Sequence, residues 1–99
     1  MKVKVQSIHF DADEKLLQFV NEKVYKLAQF FDDIIDSEVF LRIDKSNSTE
    51  NKIAEIRINT PGKTMFAKEQ CKTFEEATDI AVEAMRKQMT KHKEKIKGS

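Results

Sequence analysis

Ala54-Glu-Ile-Arg-Ile-Asn-Thr-Pro-Gly62 is the stretch that decides the fold. Ala54, Ile56 and Ile58 alternate with Glu55, Arg57 and Asn59, the two-residue period of a strand with one face buried. Pro61-Gly62 then supplies a turn, because proline presets its φ and glycine tolerates a positive one. The chain from about Lys63 to Gln70 returns as the second arm of a hairpin. Met65 and Phe66, adjacent and both apolar, leave its inward phase open.

Working back from the hairpin, Lys45-Ser-Asn-Ser-Thr-Glu-Asn51 is a polar loop. Before it, Val39, Leu41 and Ile43 alternate with Glu38, Arg42 and Asp44 and give another strand. The Asp32–Ser37 stretch breaks a different pattern. From about Asp13 to Phe31, Leu16, Val20, Val24, Leu27 and Phe31 recur at helical spacing, with Leu17 and Ala28 widening the stripe. Asp11-Ala-Asp-Glu14 offers carboxylates to the start of that helix. Lys2 to Ile8 reads as the first strand, with Val3 and Val5 on one face and Lys2, Lys4 and Gln6 on the other.

Beyond the hairpin, Thr73-Phe-Glu-Glu76 has the form of a capping box, in which hydroxyl and carboxylate satisfy the first unpaired amides of a helix. A helix from Phe74 to about Lys97 follows, with Phe74, Ala77, Ala81, Ala84, Met85 and Gln88 on its inward stripe. The order β-α-β-β-β-α predicts an α+β two-layer sandwich, a mostly antiparallel four-stranded sheet with both helices on one face. Each helix has a single apolar stripe, as that arrangement requires.

The chain has 99 residues, 39% apolar and 35% charged, which predicts one domain over 1–99 with a thin core and a wide polar surface. With two glycines and one proline there is little room for linkers. The alternating start Met1-Lys2-Val3-Lys4-Val5 lacks the apolar run of a signal peptide, and no apolar run exceeds three residues, so a membrane span is not expected. Cys71 is the single cysteine, which suits a reducing cytoplasm and reads as a small side chain near a strand end.

Charge is unevenly spread. Arg86 to Ser99 carries six basic side chains and one acid, +5, while the rest of the chain is −4. A cationic end on an otherwise acidic domain predicts a polyanionic partner, nucleic acid first. Lysines at a helix C-terminus also favour the helix dipole, whatever they bind. Enzyme chemistry is missing: there is no Gly-rich phosphate loop, nucleophile elbow or cysteine pair at zinc spacing. His9 stands at a strand end and His92 among lysines that repel a cation. No catalyst, metal or cofactor is expected. Lysine is a flexible point charge suited to phosphate contact more than base reading, and most of the seven phenylalanines fit core positions. Recognition of folded RNA by shape and phosphate follows.

Several stretches bear a family resemblance. Arg86-Lys-Gln-Met-Thr-Lys-His-Lys-Glu-Lys95 is close to a closing pattern of basic-Gln-Leu-x-Lys-x-Lys. Lys23-Val-Tyr-Lys-Leu-Ala-Gln-Phe-Phe-Asp32 is similar to Lys-x-x-Lys-Leu-x-x-Tyr/Phe-Phe-Asp, and the hairpin with Phe66-Ala-Lys-Glu69 also fits. The chain resembles, over nearly its whole length, the ribosome hibernation-promoting factors and ribosome-associated inhibitors, also called sigma-54 modulation proteins. The resemblance implies a fold like that of double-stranded RNA-binding domains. It also implies a short form that binds the decoding region of the small ribosomal subunit and idles ribosomes under stress or in stationary phase. On that reading Lys23 and Lys26 of the first helix and Lys87, Lys91, Lys93 and Lys95 of the last meet ribosomal RNA, with Arg86 added. Glu75, where relatives often have tyrosine, Ala84, where lysine is frequent, and Asp33, where a basic residue is frequent, depart from the pattern. Two other functions stay open: a general double-stranded RNA binder, and a protein-interaction module using Phe40 and Ile53 on the second sheet face, through which a homodimer is possible.

Overall fold

The computed structural model describes residues 2–45 and 49–97. Six elements follow the expected order: β1 (Lys2–Ser7), α1 (Glu14–Gln29), β2 (Asp36–Ile43), β3 (Lys52–Thr60), β4 (Lys63–Cys71) and α2 (Phe74–Lys97). The four strands form one sheet in sequence order. α1 carries the chain back across the sheet, so β2 lies parallel to β1, whereas the two following connections are reversals and give antiparallel pairs. Gly62 takes positive φ (78°) in the β3–β4 turn, the conformation its missing Cβ permits.

Register settles which side chains share a face. Val39, Ile56 and Ala67 lie abreast, as do Ser37, Ile58 and Met65. Met65 therefore points to the core and Phe66 away from it, which resolves the open phase of β4. Against this face α1 buries Val20, Val24 and Leu27, and α2 buries Phe74, Ala77, Ala81, Met85 and Met89, in one continuous core with both helices on the same side. Each fully buried Leu, Ile or Val contributes about 1.5–3 kcal/mol, which makes Leu41, Ile56 and Ile58 at the sheet centre principal contributors. Phe10 stacks on Phe74 with ring centroids 5.0 Å apart and ties the β1–α1 connection to the start of α2.

Asp13 Oδ1 accepts from the Leu16 amide, and Thr73 Oγ1 accepts from the Glu76 amide, the hydroxyl half of the expected capping box. The inward stripe of α2 differs in detail. Gln88 is exposed, and Thr78 and Met89 occupy the buried positions of their turns, because the helix leans on β3 and β4 along the 74-78-81-85-89 line.

The second sheet face is polar. Arg57 pairs with Glu38, Arg42 with Glu55 at 3.6 Å, and Asn59 bonds Asp36. Ile53 is buried between its register neighbours Arg42 and Gln70, and Phe40 is half-buried, so the two do not form an exposed apolar patch. Gln70 Nε2 donates to Asp44 Oδ2 and to the Glu50 carbonyl, joining the two ends of the polar loop.

Candidate nucleic-acid interface

Topology sets the direction of the helices. α1 runs against β1, α2 runs against β4, and β1 and β4 point the same way, so the helices lie side by side in the same direction. Lys23 of α1 reaches across to Asp79 of α2 at 3.2 Å, and its ammonium sits 5.4 Å from the Phe19 ring centroid. That ion pair aligns the middle of α1 with the first half of α2.

The outward face of α2 changes sign along its length. Glu75, Glu76, Asp79 and Glu83 are exposed in its first half, and Arg86, Lys87 and Lys91 in its second. Both halves have the sign the helix dipole favours at that end. Met89 is the last buried side chain of α2 among those described, yet the helix continues to Lys97, about 12 Å further at 1.5 Å per residue. The molecule measures 47 × 24 × 19 Å, an elongation to which this helix contributes.

The seven expected contact residues divide into three groups. Lys26, Lys87 and Lys91 are exposed. Lys23 and Arg86 are held by acids of α2, Asp79 and Glu83 respectively. Lys93 and Lys95 continue α2 as backbone, and their side chains lie outside the described residues. Of the departures from the family pattern, Glu75 and Asp33 are exposed and Ala84 is half-buried, so none of the three is part of the buried core.

Two features escape sequence reading. Phe66 is 55% exposed, and its backbone carbonyl accepts a hydrogen bond from Gln88 Nε2 at 2.8 Å, which fastens the basic half of α2 to β4. Phe30, at the C-cap of α1, is also exposed. The Met65-Phe66 doublet was the available signal for the first, since one of two neighbours on a strand must face outward.

Cys71 is buried at the end of β4, and burial pushes its thiol above the ordinary value of 9.0, with the carboxylates of Glu76, Glu69 and Glu50 adding to the rise. Among the described residues no group of three or more His, Cys, Asp and Glu could hold a metal ion, and no helix is long and apolar enough to cross a membrane.

A two-layer α+β domain with a cationic helix end is thus defined by its own geometry. Residues 3–97 match the family described as Sigma 54 modulation protein / S30EA ribosomal protein, and the chain belongs to that family. It is 30% identical to the ribosome hibernation promoting factor of Escherichia coli (strain K12), over 98% of both chains. A protein of the same name from Pseudomonas putida is 26% identical over 96% of this chain and 89% of its own. In fold it is similar to a ribosomal subunit interface protein from Coxiella burnetii, with a TM-score of 0.83 at 19% identity over 94% of this chain and 98% of that one. The N-terminal domain of Thermus thermophilus Protein Y superposes with a TM-score of 0.73 at 20% identity, over 92% of this chain and 94% of that one.

Proposed function

We propose that this protein is a non-enzymatic, cytoplasmic translation regulator that binds the ribosomal RNA of the small subunit. It occupies the decoding region, where messenger and transfer RNA would lie, and idles ribosomes under stress or in stationary phase. The observation that carries this reading is the change of sign along α2: its basic half continues beyond the last described buried side chain while its acidic half stays on the core. A cationic helix end is suited to a cleft lined by phosphates. The names of the relatives support ribosome binding, and the polar, ion-paired second sheet face offers little to an apolar protein partner. Lys26, Lys87, Lys91, Lys93 and Lys95 are the phosphate contacts, with Arg86 and Lys23 joining on exchange of their acidic partners for phosphate.

Changing Lys87, Lys91, Lys93 and Lys95 together to Gln tests it. Lysine and glutamine have similar helix propensities, so the fold survives. Each lost charge-assisted contact costs about 1 kcal/mol and the four about 4 kcal/mol, close to a thousandfold in affinity. The intact protein inhibits cell-free translation and competes with messenger or transfer RNA for small subunits, with binding that weakens steeply as salt rises. The variant does neither. Full inhibition by the folded variant would reject the reading. Equal affinity for unrelated duplex RNA and for small subunits would make the protein a general RNA binder.

A further inference from the structure

Phe66 stands out among the exposed apolar residues by its surroundings. Single exposed apolar side chains are ordinary, and by itself this one would mean nothing. Its neighbours on that face are polar and charged, basic side chains alternating with acids. Across the strand pair Phe66 faces Arg57, whose side chain pairs with Glu38. Two residues on, about 7 Å along the same face of β4, is exposed Lys68, with Glu55 opposite it. On the helix side, the Phe66 carbonyl is turned off the sheet edge and held by Gln88, immediately after Lys87 and three residues before Lys91. The ring thus sits on an edge strand that is hydrogen-bonded to the basic half of α2.

We propose that Phe66 is a stacking platform for one unpaired base of the bound RNA, with Lys68 on the same sheet face holding the adjoining phosphate. The inference rests on the RNA-binding reading above and adds the kind of RNA feature recognised. A lone ring flanked by Arg57, Lys68, Thr64 and Asn59 has no apolar surround with which to seat a hydrophobic protein surface. A nucleobase matches it, since it presents a π face on a chain of negative charge.

The test uses the full chain with Phe66→Thr, which removes the ring and keeps strand propensity, and with Phe66→Trp, which keeps a ring. Affinities are measured over a salt series for small ribosomal subunits and for a short oligouridine. Loss of one stacked base weakens binding about tenfold. Phe66→Thr weakens both ligands by that factor with the log–log salt slope and the thermal transition unchanged, and Phe66→Trp restores both. Lys87→Gln with Lys91→Gln instead flattens the slope, because phosphate contacts carry it. Unchanged affinity of Phe66→Thr for either ligand overturns the proposal; loss on subunits alone would assign Phe66 to a protein surface. A fall in the thermal transition of Phe66→Thr that Phe66→Trp repairs, without a change in affinity, would make the ring structural and also overturn it. If the quadruple lysine variant fails to bind while Phe66→Thr binds normally, the stacking proposal alone fails and ribosome binding stands.

Discussion

The two halves of α2 are one helix under two different constraints. From Phe74 to Met85 nearly every turn places a side chain in the core, and the outward residues Glu75, Glu76, Asp79 and Glu83 are acidic. From Arg86 onward Met89 is the last described side chain that is buried, and the outward residues are basic. Packing holds the first half, which has little freedom to change composition on its inner face. Helix continuation and the Gln88 bond to β4 hold the second, which leaves its surface available for a ligand. On the proposed function, stability and binding divide along a single helix, with the boundary near Glu83 and Arg86.

The largest effect that could break this contrast is Ala81→Asp. Ala81 is fully buried, and an unpaired carboxylate there costs several kcal/mol, comparable to the whole stability of a small domain. The variant loses its cooperative thermal transition by circular dichroism; a folded variant would show that packing does not hold the first half. In the second half, the four-lysine variant that abolishes ribosome binding shifts the thermal midpoint by no more than about 3 °C, as surface changes do. The hold of α1 on the first half of α2 is probed by a double-mutant cycle on Lys23→Gln and Asp79→Asn. Both groups are about half exposed, so their coupling in stability is at most about 0.5 kcal/mol. A coupling of several kcal/mol would make the pair a structural clamp that fixes the helices together.

The smallest effect lies at the acidic end. The folded state raises the Cys71 thiol above 9.0, so it retains a proton that the unfolded chain gives up. The resulting stability is present below pH 9.0 and is lost as the pH rises through the raised folded value. Cys71→Ala removes that component, so its thermal midpoint falls less steeply than that of the parent protein above pH 9.0, where the two profiles separate. Parallel profiles would mean that neither burial nor the carboxylates of Glu76, Glu69 and Glu50 raise the thiol.

Much of this protein is local in origin and can be read from the chain. The alternation Ala54-Ile56-Ile58, the Pro61-Gly62 turn, the Val20-Val24-Leu27 stripe and the Thr73 cap depend on residues within a few positions of one another, and all appear where the sequence puts them. The charge reversal of α2 is local too, since it needs only a list of residues in order. The Arg86–Glu83 pair is local as well, three residues apart on one helix, whereas tertiary structure alone decided which cations pair between elements. Lys23 and Asp79 are remote in sequence and meet only because the sheet topology sets both helices parallel. Helical spacing predicts Gln88 on the inward stripe, but the packing of α2 against β4 leaves it exposed and bonded to the Phe66 carbonyl. Phe66, likewise, became a surface aromatic only once the register beside β3 sent Met65 into the core. Periodicity fixes a face of one element, and only packing between elements determines what that face meets.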